Sequence, residues 1–76
     1  MDILEKVLLL AIYKREKDES LEDILKKLVN SGAFLNLKEA KSSLKLLKDK
    51  KYIVGNSISM VGILEAKRVE EKFKLK

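Results

Sequence analysis

Lysine side chains recur every three or four residues in the middle of this 76-residue chain, at Lys38, Lys41, Lys45 and Lys48. On an α-helix this spacing places them near one face, and Ser42 falls on the same side. Ammonium groups bind phosphate oxygens as point charges, and a hydroxyl can hydrogen-bond the edge of a base. The pattern therefore indicates a surface suited to a polyanion.

The charge distribution supports the same interpretation. The chain carries 17 basic and 12 acidic side chains, a net charge of +5. Residues 35–51 hold six basic and two acidic groups, whereas residues 52–64 hold none. A concentrated basic excess is typical of nucleic-acid binding. An ordinary solvated helix face would show the same lysines, so the pattern alone leaves both interpretations open.

The residue inventory argues against catalysis. The chain has no cysteine and therefore no nucleophilic thiol. It has no histidine either, and so lacks the commonest general base and the commonest metal ligand. Its glycines, Gly32, Gly55 and Gly62, are isolated and form no phosphate-binding loop. The acidic residues fall on charged helix faces or ends. We therefore predict no enzyme activity, no metal site and no cofactor.

Hydrophobic periodicity predicts a mainly α fold with a small β-hairpin (α+β) in a single domain over residues 1–76. The predicted helices cover residues 2–17, 20–30, 36–50 and 60–74. A short hairpin is predicted over residues 52–58. Each helix follows a residue whose side-chain oxygen can cap it; these residues are Asp2, Ser20, Asn36 and Ser59.

No segment of the sequence is predicted to span a membrane. The longest apolar run covers seven residues, 7–13, which is far too short to cross a bilayer. Asp2 and Glu5 stand where a signal peptide would carry basic residues. We therefore expect a cytoplasmic protein without a membrane partner.

The order of the predicted elements, together with two local motifs, resembles the winged helix-turn-helix superfamily, including small MarR-like and PadR-like regulators. The first motif is Leu-x-x-Leu followed by a short turn and an aromatic-Ile strand start, here from Leu44 to Ile53. The second is the Leu-Thr-x-x-Gly-x-x-x-Ala pattern, here Ile58 to Ala66. The resemblance spans essentially the whole chain. It differs in a short uncharged wing, a longer turn over residues 31–35, and Lys51 where many relatives carry glycine.

The resemblance implies that the helix over residues 36–50 is a recognition helix that enters the major groove of double-stranded DNA, and that the hairpin is the wing. The implied contacts from this helix are Asn36, Lys38, Lys41, Ser42, Lys45 and Lys48. Candidate wing contacts are Asn56 and Ser57. The implied function is that of a small regulator of transcription.

Apolar stripes on the first and last helices predict a homodimer. The candidate interface residues are Leu9, Ile12, Ala66, Val69 and Phe73. The first helix is apolar on most sides, which indicates either a central position in the fold or coverage by a second chain. The last stripe could also close the core of a single chain, so both alternatives remain open.

Two function classes follow from these patterns. The first is sequence-preferring binding of double-stranded DNA by a dimeric regulator. The alternative is a winged-helix protein–protein interaction (adaptor) module that uses the apolar surfaces of the first and last helices. RNA binding is a weaker third hypothesis because Phe34 and Phe73 are predicted to be structural rather than exposed stacking platforms.

Overall fold

The computed structural model describes residues 2–73. The elements are α1 (Ile3–Tyr13), α2 (Leu21–Asn30), α3 (Leu37–Asp49), β1 (Ile53–Val54), β2 (Ser57–Ile58) and α4 (Met60–Phe73). This arrangement confirms a mainly helical α+β fold with one small antiparallel hairpin. The prediction that the last helix extends to residue 74 falls outside the described residues. Within residues 2–73, no helix has the length and apolar character needed to cross a membrane.

The first helix is shorter than predicted. It ends at Tyr13 rather than at residue 17, and Lys14 is its C-cap. The charged run that follows forms a turn of its own, because the Glu16 amide donates to the Glu19 carboxylate and the Glu19 amide donates to the Glu16 carbonyl oxygen. These local hydrogen bonds compete with continuation of the helix.

α1 lies at the centre of the fold. It packs against α2, α3 and α4, and Leu8, Leu9 and Ile12 are at most 2% exposed. Burying each such side chain contributes roughly 1.5–3 kcal/mol. The chain's own helices therefore cover the middle of α1, as the central-position interpretation expected, whereas Ile3 at its start stays exposed.

Four of the five residues predicted for a dimer interface lie in the core instead. Leu9, Ile12, Ala66 and Val69 are all buried within a single chain. Their burial follows from the packing of α1 against α4, where the small Ala66 side chain allows close approach. Only Phe73, at 47% exposure, remains accessible to another molecule.

The predicted caps are present. Asp2 Oδ1 accepts from the Glu5 amide at 2.9 Å, and Ser20 and Asp23 form a reciprocal capping box. Asn36 Oδ1 accepts from the Glu39 amide at 2.9 Å. Ser59 Oγ accepts from the Gly62 amide at 3.0 Å. Each cap satisfies a backbone donor that has no partner within its helix.

Each strand of the hairpin is two residues long, and a backbone hydrogen bond closes the end of the hairpin nearest α4. Ile53 pairs with Ile58 and Val54 with Ser57, so the predicted hairpin does form a sheet. The Ser59 amide donates to the Tyr52 carbonyl oxygen at 2.9 Å. Gly62 lies against that same carbonyl, and a Cβ added there would fall inside contact distance of it. This contact fixes α4 against the start of β1.

α3 ends in a Schellman motif with an unfavourable residue in its left-handed position. The Lys51 amide donates to the Lys48 carbonyl oxygen and the Tyr52 amide donates to the Leu47 carbonyl oxygen, both at 3.0 Å. Lys51 has a φ of 68°, which costs about 1–2 kcal/mol for a residue with a Cβ. Lys51 therefore strains the backbone at a position where glycine would not.

Lys51→Gly should stabilise the protein by about 0.5–1 kcal/mol, because relief of this strain exceeds the extra unfolded-state entropy of glycine. The melting temperature should rise by about 2–8 °C in thermal unfolding followed by circular dichroism. The control is Lys45→Gly, which removes a lysine from the interior of α3 and should destabilise by about 1 kcal/mol. A fall in the melting temperature of Lys51→Gly would contradict the assigned strain.

Candidate nucleic-acid interface

The outward side of α3 gathers the predicted lysines into one surface. Lys38, Lys41, Ser42, Lys45 and Lys48 are all exposed, and we call them the lysine face. Ala40, Ser43 and Leu47 point to the opposite, buried side of the helix. All but Lys48 line a shallow groove whose apolar wall is Leu37. The helix thus separates its core-forming side from a cationic side.

The ammonium groups of the lysine face are not used within the described chain. The ion pairs found across residues 2–73 join Lys14 to Glu70, Lys27 to Glu19, Lys50 to Glu5 and Arg68 to Glu65. None of these pairs involves Lys38, Lys41, Lys45 or Lys48. These four charges are therefore free to attract an anion without first breaking an internal contact.

Asn36 is exposed at the start of α3, but part of its side chain is already committed. Its Oδ1 caps the helix through the Glu39 amide. The Glu39 carboxylate in turn accepts from the Leu35 amide at 2.9 Å, one residue earlier than in a standard capping box. Only the NH2 group of Asn36 therefore remains available to donate to a ligand.

A second groove, the hairpin groove, lies between α3 and the turn of the hairpin. Its charged and polar lining comprises Arg15, Glu19, Ser20, Glu22, Lys41, Lys48 and Asn56. Arg15 Nη2 donates to the Asn56 carbonyl oxygen at 2.7 Å and so ties the α1–α2 connection to the hairpin turn. The structure thus brings Asn56 together with Lys41 and Lys48. Ser57 is exposed on β2, outside both grooves.

One lysine at the end of α3 is used inside the protein. Lys50 Nζ donates to Glu5 Oε1 at 2.8 Å, and Glu5 is only 4% exposed although it lies on the central helix. This hydrogen bond and the nearby negative charge of Glu5 raise the pKa of Lys50, against a smaller opposing effect of desolvation. The pair joins α1 to the C-terminal end of α3 and so helps to orient the lysine face.

Sequence reasoning missed Arg15 and misplaced Glu5. Glu5 precedes Leu8, Leu9 and Ile12 by three, four and seven residues, so helical spacing already places it on the buried face. Arg15 gives no comparable signal, because its partner Asn56 lies 41 residues away. Only the tertiary structure brings that pair together.

The described residues contain no cluster of three or more acidic side chains positioned to hold a metal ion. No family model, curated protein or solved structure matches this chain. Any function of this chain therefore has to be inferred from the geometry and electrostatics of α3, the hairpin and α4.

Lys50→Met should lower the melting temperature at neutral pH, because it leaves the buried Glu5 carboxylate without its ammonium partner. Since the pKa of Lys50 is raised on folding, its stabilising contribution is complete below about pH 10.4 and is lost as the pH rises through the folded-state pKa. The difference between wild type and Lys50→Met should therefore shrink above about pH 10.4 in thermal unfolding measured from pH 7 to 11.5.

Lys48→Met is the matched control, since it removes a neighbouring lysine that has no ion-pair partner in the part of the chain that the structure describes, and it should leave the melting temperature nearly unchanged. Lys50→Arg should retain most of the stability by keeping the charge. Equal melting temperatures for wild type and Lys50→Met at pH 7 would show that the pair does not hold α1 to α3.

Proposed function

We propose that this chain is a winged-helix protein that binds double-stranded DNA through α3, as a small regulator of transcription acting in the cytoplasm. The observation that carries the proposal is the set of four ammonium groups on the exposed side of the third helix that have no ion-pair partner among residues 2–73. Lysines held in internal ion pairs would have to be released before they could bind phosphate, whereas these require no such step. The order of helices and hairpin is consistent with the winged-helix arrangement.

The dimensions of α3 suit a major groove. Its 13 residues extend about 20 Å, and the major groove is about 12 Å wide, sufficient to admit one helix. Within it, the lysines would contact phosphates on either side while Ser42 approaches base edges. The NH2 group of Asn36 would point into the groove at the start of the helix, where recognition helices commonly contact bases.

The hairpin turn would contribute a second point of contact with the backbone. Lys41 and Lys48 lie on both the lysine face and the hairpin groove, and Arg15 holds the turn beside them. A phosphate strand leaving α3 could therefore pass along the hairpin groove. Glu19 already pairs with Lys27 there, which reduces its repulsion of a phosphate.

Lys41→Glu/Lys45→Glu should reduce affinity for a mixed-sequence duplex by more than tenfold at about 100 mM salt, because it replaces two phosphate-binding cations with anions. The wild type should lose affinity steeply with salt, and the variant should show a log–log salt slope shallower by about 1.8, or about 0.9 per lost phosphate contact. Fluorescence anisotropy of a labelled duplex across a salt series measures both quantities.

Lys67→Glu/Lys72→Glu is the matched control, because it makes the same change in net charge on exposed positions of α4. It should weaken binding only modestly. If both double variants lose affinity alike, attraction to DNA comes from net charge alone and α3 is not the binding surface. Failure of the wild type to bind at about 100 mM salt would reject the DNA-binding proposal.

The exposed side of α4 favours a second candidate function, protein–protein interaction. Met60, Val61 and Leu64 are 80%, 56% and 64% exposed at positions that share one side of the helix, and we call them the α4 outer face. The buried stripe of Ala66 and Val69 lies elsewhere on the same helix. Apolar side chains concentrated in this way indicate a surface that another protein covers.

We propose that a second copy of this chain covers the α4 outer face and forms a two-fold homodimer. Two chains of charge +5 repel each other, so their contact should lie where charge is absent. Residues 52–64, which include the α4 outer face, carry no ionisable acidic or basic side chain apart from the Tyr52 phenol. A two-fold pairing there would present two copies of α3 to one duplex.

Leu64→Asp should shift the protein towards monomer, because each interface would then bury two carboxylates among apolar side chains. Sedimentation velocity over a range of protein concentrations measures the change, and the association constant should fall by more than tenfold. Leu46→Asp, at an exposed leucine of α3, is the control and should leave association unchanged. A wild type that remains monomeric throughout would reject the homodimer and leave the α4 outer face to a different protein, as the adaptor hypothesis expects.

A further inference from the structure

Leu35 presents an apolar side chain at the start of the proposed DNA-binding helix. It is 85% exposed, the highest value among the large exposed hydrophobic side chains of the described residues. A single exposed leucine is common on protein surfaces, but this one immediately precedes Asn36, the N-cap of α3. Its position, rather than its exposure alone, suggests a role.

The backbone of Leu35 is fixed to the first turn of α3. Its amide donates to Glu39 Oε1 at 2.9 Å, while the Glu39 amide donates to Asn36 Oδ1. These two hydrogen bonds join the segment before the helix to the helix itself. Leu35 would therefore move with α3 when that helix enters a groove, and holding it there would require little additional ordering.

The same end of α3 offers few groups that can distinguish bases by hydrogen bonding. Asn36 Oδ1 and Glu39 Oε1 are engaged in the cap, and the lysines are suited to phosphates. Ser42 remains, together with the NH2 group of Asn36 and the second carboxylate oxygen of Glu39. By contrast, this end of α3 carries two leucines. Leu35 is exposed, and Leu37 forms the wall of the groove on the lysine face.

We propose that Leu35 contacts the C5-methyl group of thymine in the major groove, so that the preferred target is thymine-containing duplex DNA. The inference rests on the proposed DNA-binding function. Among the four natural bases, the thymine methyl is the only apolar group displayed at a major-groove base edge. An apolar side chain carried at the N-terminal end of the inserted helix can remove that methyl from water.

The test compares two alternating duplexes that differ only in this methyl group, one of deoxyadenosine and thymidine and the other of deoxyadenosine and deoxyuridine. The wild type should bind the uracil duplex about fourfold more weakly for each methyl group that it buries. This ratio corresponds to the free energy of about 0.8 kcal/mol for burying one CH2 group. Leu35→Ala should bind both duplexes with equal affinity. Fluorescence anisotropy under identical salt gives the ratios.

Leu46→Ala is the control, since it shortens an exposed leucine within α3 and should keep the wild-type ratio. Circular dichroism should show unchanged folding of Leu35→Ala, because the deleted atoms are exposed. Equal binding of both duplexes by the wild type would overturn the methyl contact while leaving DNA binding intact. A thymine preference that persists in Leu35→Ala would also overturn it, by placing the contact elsewhere. No binding of either duplex would instead reject the proposed function.

Discussion

α1 packs its central apolar side chains against the other three helices, and every surface described above depends on that packing. A chain of this size hides only about 60% of its unfolded surface, so a helix that contacts three others contributes a large share of the core. With Leu8, Leu9 and Ile12 enclosed, α3 and α4 are held on different sides of α1. Their outward faces, one cationic and one apolar, are consequently separated.

The lysines of α3 and its C-terminal turn have different environments along one helix. Lys50 pairs with the buried carboxylate of Glu5 and serves the fold, whereas the lysines of the lysine face have no acidic partner in residues 2–73. The difference arises from helical geometry, because Lys50 lies in line with the buried side of α3 and Lys45 lies on its exposed side. A high lysine content therefore has two physical roles here, and composition alone does not distinguish them.

Local features of the structure were predictable from the sequence. The caps at Asp2, Ser20 and Asn36 involve contacts between residues three apart, and these depend only on residue type and short-range geometry. The lysine face follows from helical spacing for the same reason. Leu9 and Ala66, predicted for a dimer interface, are buried in the core instead, because periodicity identifies an apolar face without saying whether its own chain covers it. The Arg15–Asn56 hydrogen bond depends on the complete fold, which no local pattern specifies.

The close approach of Gly62 to the Tyr52 carbonyl restricts rotation of α4 about its own axis. If α4 turned by the angle between neighbouring residues, Val61 or Ile63 would replace glycine beside that carbonyl, and its side chain would collide with the backbone of the preceding segment. The helix therefore has one rotational setting, which Ser59 reinforces by hydrogen-bonding the Lys51 carbonyl oxygen at 2.6 Å. A single hydrogen atom in place of a side chain thereby decides which residues α4 turns towards solvent and which it turns towards α1.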